Sequence, residues 1–288
     1  MRSGAPTPHP QPLSPRGGER VAGGRVRGAL AAFTLLLAGR AAAHDFWIEP
    51  SAFHPSEGQV VTAALRVGQK LDGEPLPRIP ALIDRFVLRG AGGEGNVVGR
   101  PGSDPAGMAR VADGGLHWIG YQSTAYPVTL EAKKFEDYLR EEGLERIVAA
   151  RAKSGQSAAP GRERFYRCAK ALLDTPGPAA ALDAPLGFTL ELIPRRNPYA
   201  LKGDLPLSLL FRGKPAADVL VVAMNRDDPA NAVRARTDRN GNVSLKLNRT
   251  GFWLIKAVQM ESAPAGSGVD WESWWASITF ELPGIVSR

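Results

Sequence analysis

The chain of 288 residues contains one cysteine, Cys168, so no disulfide can form within it and its stability must come from burial of apolar surface. It contains four histidines, and no apolar run reaches the roughly eighteen residues of a membrane-spanning helix. Several familiar motifs are also absent. There is no His-Glu-x-x-His, no Gly-x-Ser-x-Gly, no phosphate-binding glycine loop ending in Lys and no dinucleotide fingerprint, so metalloprotease, serine hydrolase, nucleotide and dinucleotide chemistry have no support. A composition of 43% hydrophobic and 23% charged residues excludes a disordered or collagen-like chain.

Turn formers are plentiful, with 32 Gly and 24 Pro, which suits many short strands rather than a helical bundle. The formal charge of +7 suggests a nucleic-acid partner until the N-terminus is considered. Residues 29–39 form a short apolar run preceded by Arg25 and Arg27 and followed by Ala41 and Ala43, the pattern of a secretory signal cut between Ala43 and His44. The removed segment holds six of the 36 basic residues and one of the 29 acidic ones, leaving 30 against 28. With the basic excess gone, no nucleic-acid partner is expected. The mature protein is expected in the periplasm and not integral to the membrane. Residues 1–24 have no periodicity and the next Met is Met108, so translation is expected to begin near Val21 or Val26.

Along the mature chain, strands are expected at residues 59–67, 84–88, 108–112 and 116–123. Apolar residues then recur at helical spacing (Phe135, Leu139, Leu144, Ile147, Val148), with Gly143 as a break, so two short helices are expected over 132–153. A third helix is expected over 162–173, with Cys168 as a buried thiol and Arg162, Glu163, Arg164 and Arg167 on a solvated face. Seven more strands follow from residue 188, with a hairpin signalled by Asn240-Gly241. Neighbouring Trp274 and Trp275 must face opposite ways in a strand, so core packing is favoured over a flat sugar-binding platform. The expected fold is mostly β. An N-terminal sandwich (44–131), a helical insert (132–180) and a C-terminal sandwich (181–288), immunoglobulin-like or transthyretin-like, follow the signal segment (1–43).

His44 is the most informative residue. After cleavage it would offer its α-amine and ring Nδ1 to one ion, and nitrogen donors of this kind suit Cu(II), Ni(II) and Zn(II). His117, in a strand, is the best third nitrogen and His54 a further candidate, while solvated or partly exposed histidines are the commoner explanation for both. Asp45 and Glu49 could add oxygen donors.

The segments at residues 44–53 (HDFWIEPSAF), 161–170 (GRERFYRCAK), 251–260 (GFWLIKAVQM) and 270–282 (DWESWWASITFEL) resemble an exported bacterial family of unassigned function, some of whose members carry the label nickel-uptake substrate-specific component. The resemblance covers nearly the whole mature chain. It implies a periplasmic protein with two sandwich parts and a His at the first mature position, although members often have a His where this chain has Gln259. The expected function is capture of Cu(II) or Ni(II) at His44 and delivery to an acceptor, such as a membrane transporter subunit. A copper monooxygenase-like enzyme and a non-catalytic interaction module are the alternatives.

Overall fold

The computed structural model describes Met1, residues 44–177 and residues 184–284; the expected signal segment and the 180/181 boundary lie outside these residues. The chain is mostly β, with sheets packed in a sandwich-like arrangement and two short helices. The first sheet joins β1 (Asp45–Pro50), β2 (Val60–Gln69) and β3 (Asp72–Leu76). Then come β4 (Ile83–Gly90), β5 (Gly93–Asn96), β6 (Gly107–Arg110), which pairs with β2, β7 (Gly115–Ser123) and β8 (Tyr126–Leu130). The helices are α1 (Ala132–Glu141) and α2 (Glu145–Lys153). Gly143 between them has φ +68°, a conformation that breaks a helix and that a side chain resists.

The long strand β9 (Gly161–Thr175) follows, then β10 (Leu190–Pro194), β11 (Leu205–Phe211), β12 (Lys214–Pro215), β13 (Leu220–Asn225), β14 (Asp228–Arg236), β15 (Asn242–Leu245), β16 (Gly251–Ser262) and β17 (Trp271–Leu282). The central sheet has nine strands, in the order β14-β13-β16-β17-β9-β7-β4-β5 with β8 also on β9. Strands from both sides of the helices therefore lie in one sheet: β9 pairs antiparallel with β7 and β8, which precede the helices, and parallel with β17, which follows them.

Two faces of this sheet are covered differently. On one, Trp118, Leu172, Trp253, Ile255, Ile278 and Phe280 pack against Leu190, Leu192, Leu207 and Leu209 of the sheet formed by β10, β11, β12 and β15. On the other, α1 and α2 bury Phe135, Tyr138, Leu139 and Ile147 against Phe165, Val258, Met260 and Trp275. There β1 lies beside them, with Phe46 tilted against Tyr121 at 5.2 Å and the Thr279 hydroxyl donating to the Ile48 carbonyl.

Two sequence expectations change here. Residues 162–173 are a strand, not a helix. β9 is interior, bonded to β7 and β8 on one side and β17 on the other, so Ala169 to Leu173 are buried on both faces and show no alternation. Sheet membership outweighs the helical propensity of those residues. The Asn240-Gly241 turn exists, with Gly241 at φ +72° and the Asp238 carboxylate accepting from the Asn240 and Asn242 amides. It is not a hairpin, because β14 pairs with β13 and β15 with β11, so the chain crosses from one sheet to the other.

Candidate functional site

The histidines do not come together. His117 on β7 is buried, with Nδ1 3.1 Å from the Gly115 carbonyl and Nε2 3.0 Å from Asp113 Oδ1. Both ring nitrogens thus face a hydrogen-bonding neighbour within the fold. Asp113 also accepts from the Gly92 amide at 2.7 Å, and the His117 hydrogen bond, then this one, hold its carboxyl below the usual range. A Cβ at Gly90 would stand 2.3 Å from the His117 ring, so the glycine of β4 lets the strand close over the histidine. The pair is a clasp on the β4–β5 hairpin.

His54 is exposed, with Nε2 3.1 Å from the Glu281 carbonyl and its ring edge-on to Tyr199 at 4.9 Å. His44 stands at the head of β1, its carbonyl 3.5 Å from Arg167 Nη1. His117 pairs with Leu173 of β9, six residues from Arg167, about 20 Å of strand. Among the described residues no three of His, Cys, Asp and Glu are grouped to hold a metal ion. Cys168 is buried on the opposite face, where burial pushes its thiol up to about 12.

The head of β1 faces a buried charge cluster that the sequence did not reveal. Lys256 of β16 lies 2.5 Å from Asp45 and 2.7 Å from Glu142, the residue that ends α1. Burial alone would lower the Lys256 ammonium, but the two carboxylates hold it above its ordinary value. Burial also pushes the Glu142 carboxyl up, against the attraction of Lys256. On β9, Arg167 is enclosed between Phe46 at 4.8 Å and Phe165 at 5.1 Å, and burial pushes its guanidinium down to about 10.

Two positions of the same strand face away, Glu163 is 1% exposed. Its Oε1 accepts from Tyr138 at 3.1 Å and from Ser273, whose oxygen in turn accepts from Trp275 Nε1 at 3.0 Å. Its Oε2 is buried and has no hydrogen-bond partner among the described residues. Burial pushes this carboxyl up to about 7, against those two hydrogen bonds and the nearby Arg167. Asp45, Glu142 and Glu163 thus face Lys256 and Arg167, three carboxyls to two cations.

The expectation of a solvated charged helix face over 162–167 is corrected by the strand. Glu163, Phe165 and Arg167 turn inward, while Arg162 and Arg164 turn outward and pair with Asp270 and Glu272 across β17. That alternation was legible in the sequence once a strand is drawn there. Trp274 and Trp275 do face opposite ways, Trp274 stacked on Tyr166 at 5.4 Å and Trp275 on Tyr138 at 5.5 Å. Both are used in packing, so neither forms an open platform.

No curated protein matches the chain. The family model described as Domain of unknown function (DUF4198) matches residues 41–261, most of the chain, from before His44 to the end of β16. The chain belongs to this family of domains of unknown function.

Proposed function

We propose that the mature protein is a periplasmic carrier that captures Cu(II) or Ni(II) as cargo through the α-amine and ring nitrogen of His44 and delivers it to an acceptor. The observation that carries this reading is the position of His44: it heads a strand whose next four residues are buried, beside a cluster with more carboxyls than cations. An amine and an imidazole on one residue form a chelate of the type these ions favour. The strand fixes where the chelate stands, and the neighbouring negative charge favours arrival of a cation. Binding requires the unprotonated amine, so capture releases a proton.

A third nitrogen from His117 or His54 forms no part of this reading, since both rings are engaged elsewhere. No described helix is long and apolar enough to cross a membrane. A second reading, an interaction module, has one observation in its favour. Val60 of β2, Met108 of β6 and Val98 just beyond β5 are exposed apolar residues, with Met108 paired to Thr62 and bridged to Val98.

The test is calorimetric titration of the protein beginning at His44, with Cu(II) and with Ni(II), beside a version carrying one extra residue before His44. Tight one-to-one binding that the extension weakens at least about tenfold, some 1.4 kcal/mol, is the expected result. Equal binding by both versions would remove His44 from the site and leave the interaction module.

A further inference from the structure

We propose that Asp45 and Lys256 condense into an intramolecular amide, a covalent tie between β1 and β16, with Glu142 relaying the protons. The bond uses the Asp45 side chain and leaves the His44 amine and ring as they are, so it does not depend on the metal reading.

Three observations lead there. The first is contact. Lys256 Nζ lies 2.5 Å from Asp45 Oδ1 and 2.7 Å from Glu142 Oε1. Its distance from the Asp45 carboxyl carbon exceeds the first figure by no more than one C–O bond, which makes it at most about 3.7 Å. That is close to the ~3–3.5 Å of a pair poised to react. The second is exclusion of water: Asp45, Glu142 and Lys256 are 5%, 4% and 9% exposed. Three buried ions are costly to keep, and condensation replaces two of them with one neutral amide. The third is fixed placement. Lys256 is in register with Val222 and Ser277 in an interior strand, β1 is pinned at Ile48 by Thr279, and the Glu142 amide closes α1 by donating to the Tyr138 carbonyl.

In the step, Lys256 Nζ attacks Asp45 Cγ, an N–C bond forms and one C–O bond breaks. The two protons that the ammonium gives up leave with that oxygen as one water, so nothing is oxidised or reduced and no co-reactant is needed. Glu142 touches the nitrogen, passes its protons to the departing oxygen and ends as it began, accepting from the new amide N–H. Burial pushes the Glu142 carboxyl up, toward the range in which a group both takes and gives a proton. The attraction that keeps Lys256 charged comes from the same two carboxylates, one of which receives its protons and the other its nitrogen.

Lys170 shows why a buried lysine and a carboxylate are not enough. Its partner Glu191 is held ionised by the amides of Leu186, Gly187 and Phe188, and among the described residues no second carboxylate pairs with the ammonium to relay protons. With one cysteine, the chain has no disulfide of its own, and the amide would supply the covalent tie between its first strand and the central sheet.

The test is intact-mass spectrometry and peptide mapping of protein produced from the full chain, with its N-terminus determined. The expected result is a mass one water below that of the sequence present, and a branched peptide joining the segment around Asp45 to the segment around Lys256. Lys256→Arg keeps the charge but has no nucleophilic amine, and Asp45→Ala has no carboxyl to attack, so both should show the full mass. In Glu142→Gln the bond should form at least about a hundredfold more slowly, and an unchanged rate would overturn the relay. An unmodified mass in the parent protein overturns the proposal whether or not the variants fold. So does a loss of water that maps to a cyclic imide at Asp72-Gly73 or Asp113-Gly114. The mass is read without added metal, so these outcomes are independent of the titration with Cu(II) and Ni(II).

Discussion

The central sheet carries a buried lysine on each face, and the two are treated differently. On the face covered by β10 and β11, Lys170 meets Glu191 at 2.9 Å and lies over the Trp118 ring at 4.3 Å. Glu191 also accepts from the amides of Leu186, Gly187 and Phe188, so both of its oxygens are fully used. On the helix-covered face, Lys256 serves two carboxylates, and a third, Glu163, is left with an unmatched oxygen. The first arrangement is closed: one charge against one, with the remaining lone pairs given to a loop. The second is open, since Glu163 keeps one buried oxygen without a partner among the described residues. A saturated buried charge holds a fold together, whereas an unmatched one is costly to keep.

The sharpest way to break this contrast is at the closed pair. Glu191→Ala leaves Lys170 buried without its carboxylate and strips three amides of their acceptor. A loss of about 3–5 kcal/mol in unfolding free energy is expected from denaturant titration. Lowering the pH of the variant should not restore it, since the lost contacts to the 186–188 amides are not charge pairs. A loss below about 1 kcal/mol would mean that the pair is not the closed structural element described.

The open cluster should respond to pH instead. Burial holds the Glu163 carboxyl at about 7 against an ordinary ~4.3. The fold then favours the neutral carboxyl. The contribution of Glu163 is intact below about pH 4.3 and is lost as pH rises to about 7, a change of about 4 kcal/mol. Glu163→Gln should remove that slope, so the variant gains on its parent between pH 5 and 8. Parallel stability curves for parent and variant across this range would show that Glu163 does not titrate as the cluster requires.

Much of the fold could be read from the chain because its signals are local. The helical spacing from Phe135 to Val148 and the break at Gly143 gave two short helices. The opposite facing of Trp274 and Trp275 followed from strand geometry alone. What could not be read depends on distant partners. β9 looked helical because its middle is buried on both sides, a property conferred by β7 and β17, which lie far away in sequence. With β9 misdrawn, Glu163 and Arg167 became surface residues, and the charge cluster formed with Asp45, Glu142 and Lys256 could not be seen. His44 was singled out by the cut expected before it, and its carbonyl and its neighbour Asp45 do adjoin Arg167 and Lys256. The ligand role of His117 rested on its lying in a rigid strand, and nothing local announced that Asp113, four residues earlier, would occupy its ring.

That occupancy gives the smallest of the expected effects and separates the histidines most cleanly. Asp113→Asn keeps the size of the side chain but takes the charge from a partner that is itself about one-third exposed. Hydrogen bonds to charged groups contribute more than neutral ones, and solvent at Asp113 reduces the difference, so a loss of about 1–2 kcal/mol is expected. The Gly92 amide can still donate to the new carbonyl, so the β4–β5 hairpin should loosen rather than detach, with faster hydrogen exchange confined to it. Affinity for Cu(II) and Ni(II) should be unchanged, because His117 stands about 20 Å along β9 from Arg167 and the head of β1. A variant that lost metal affinity while keeping its stability would return His117 to the site, and the His44 chelate would then be only part of the centre.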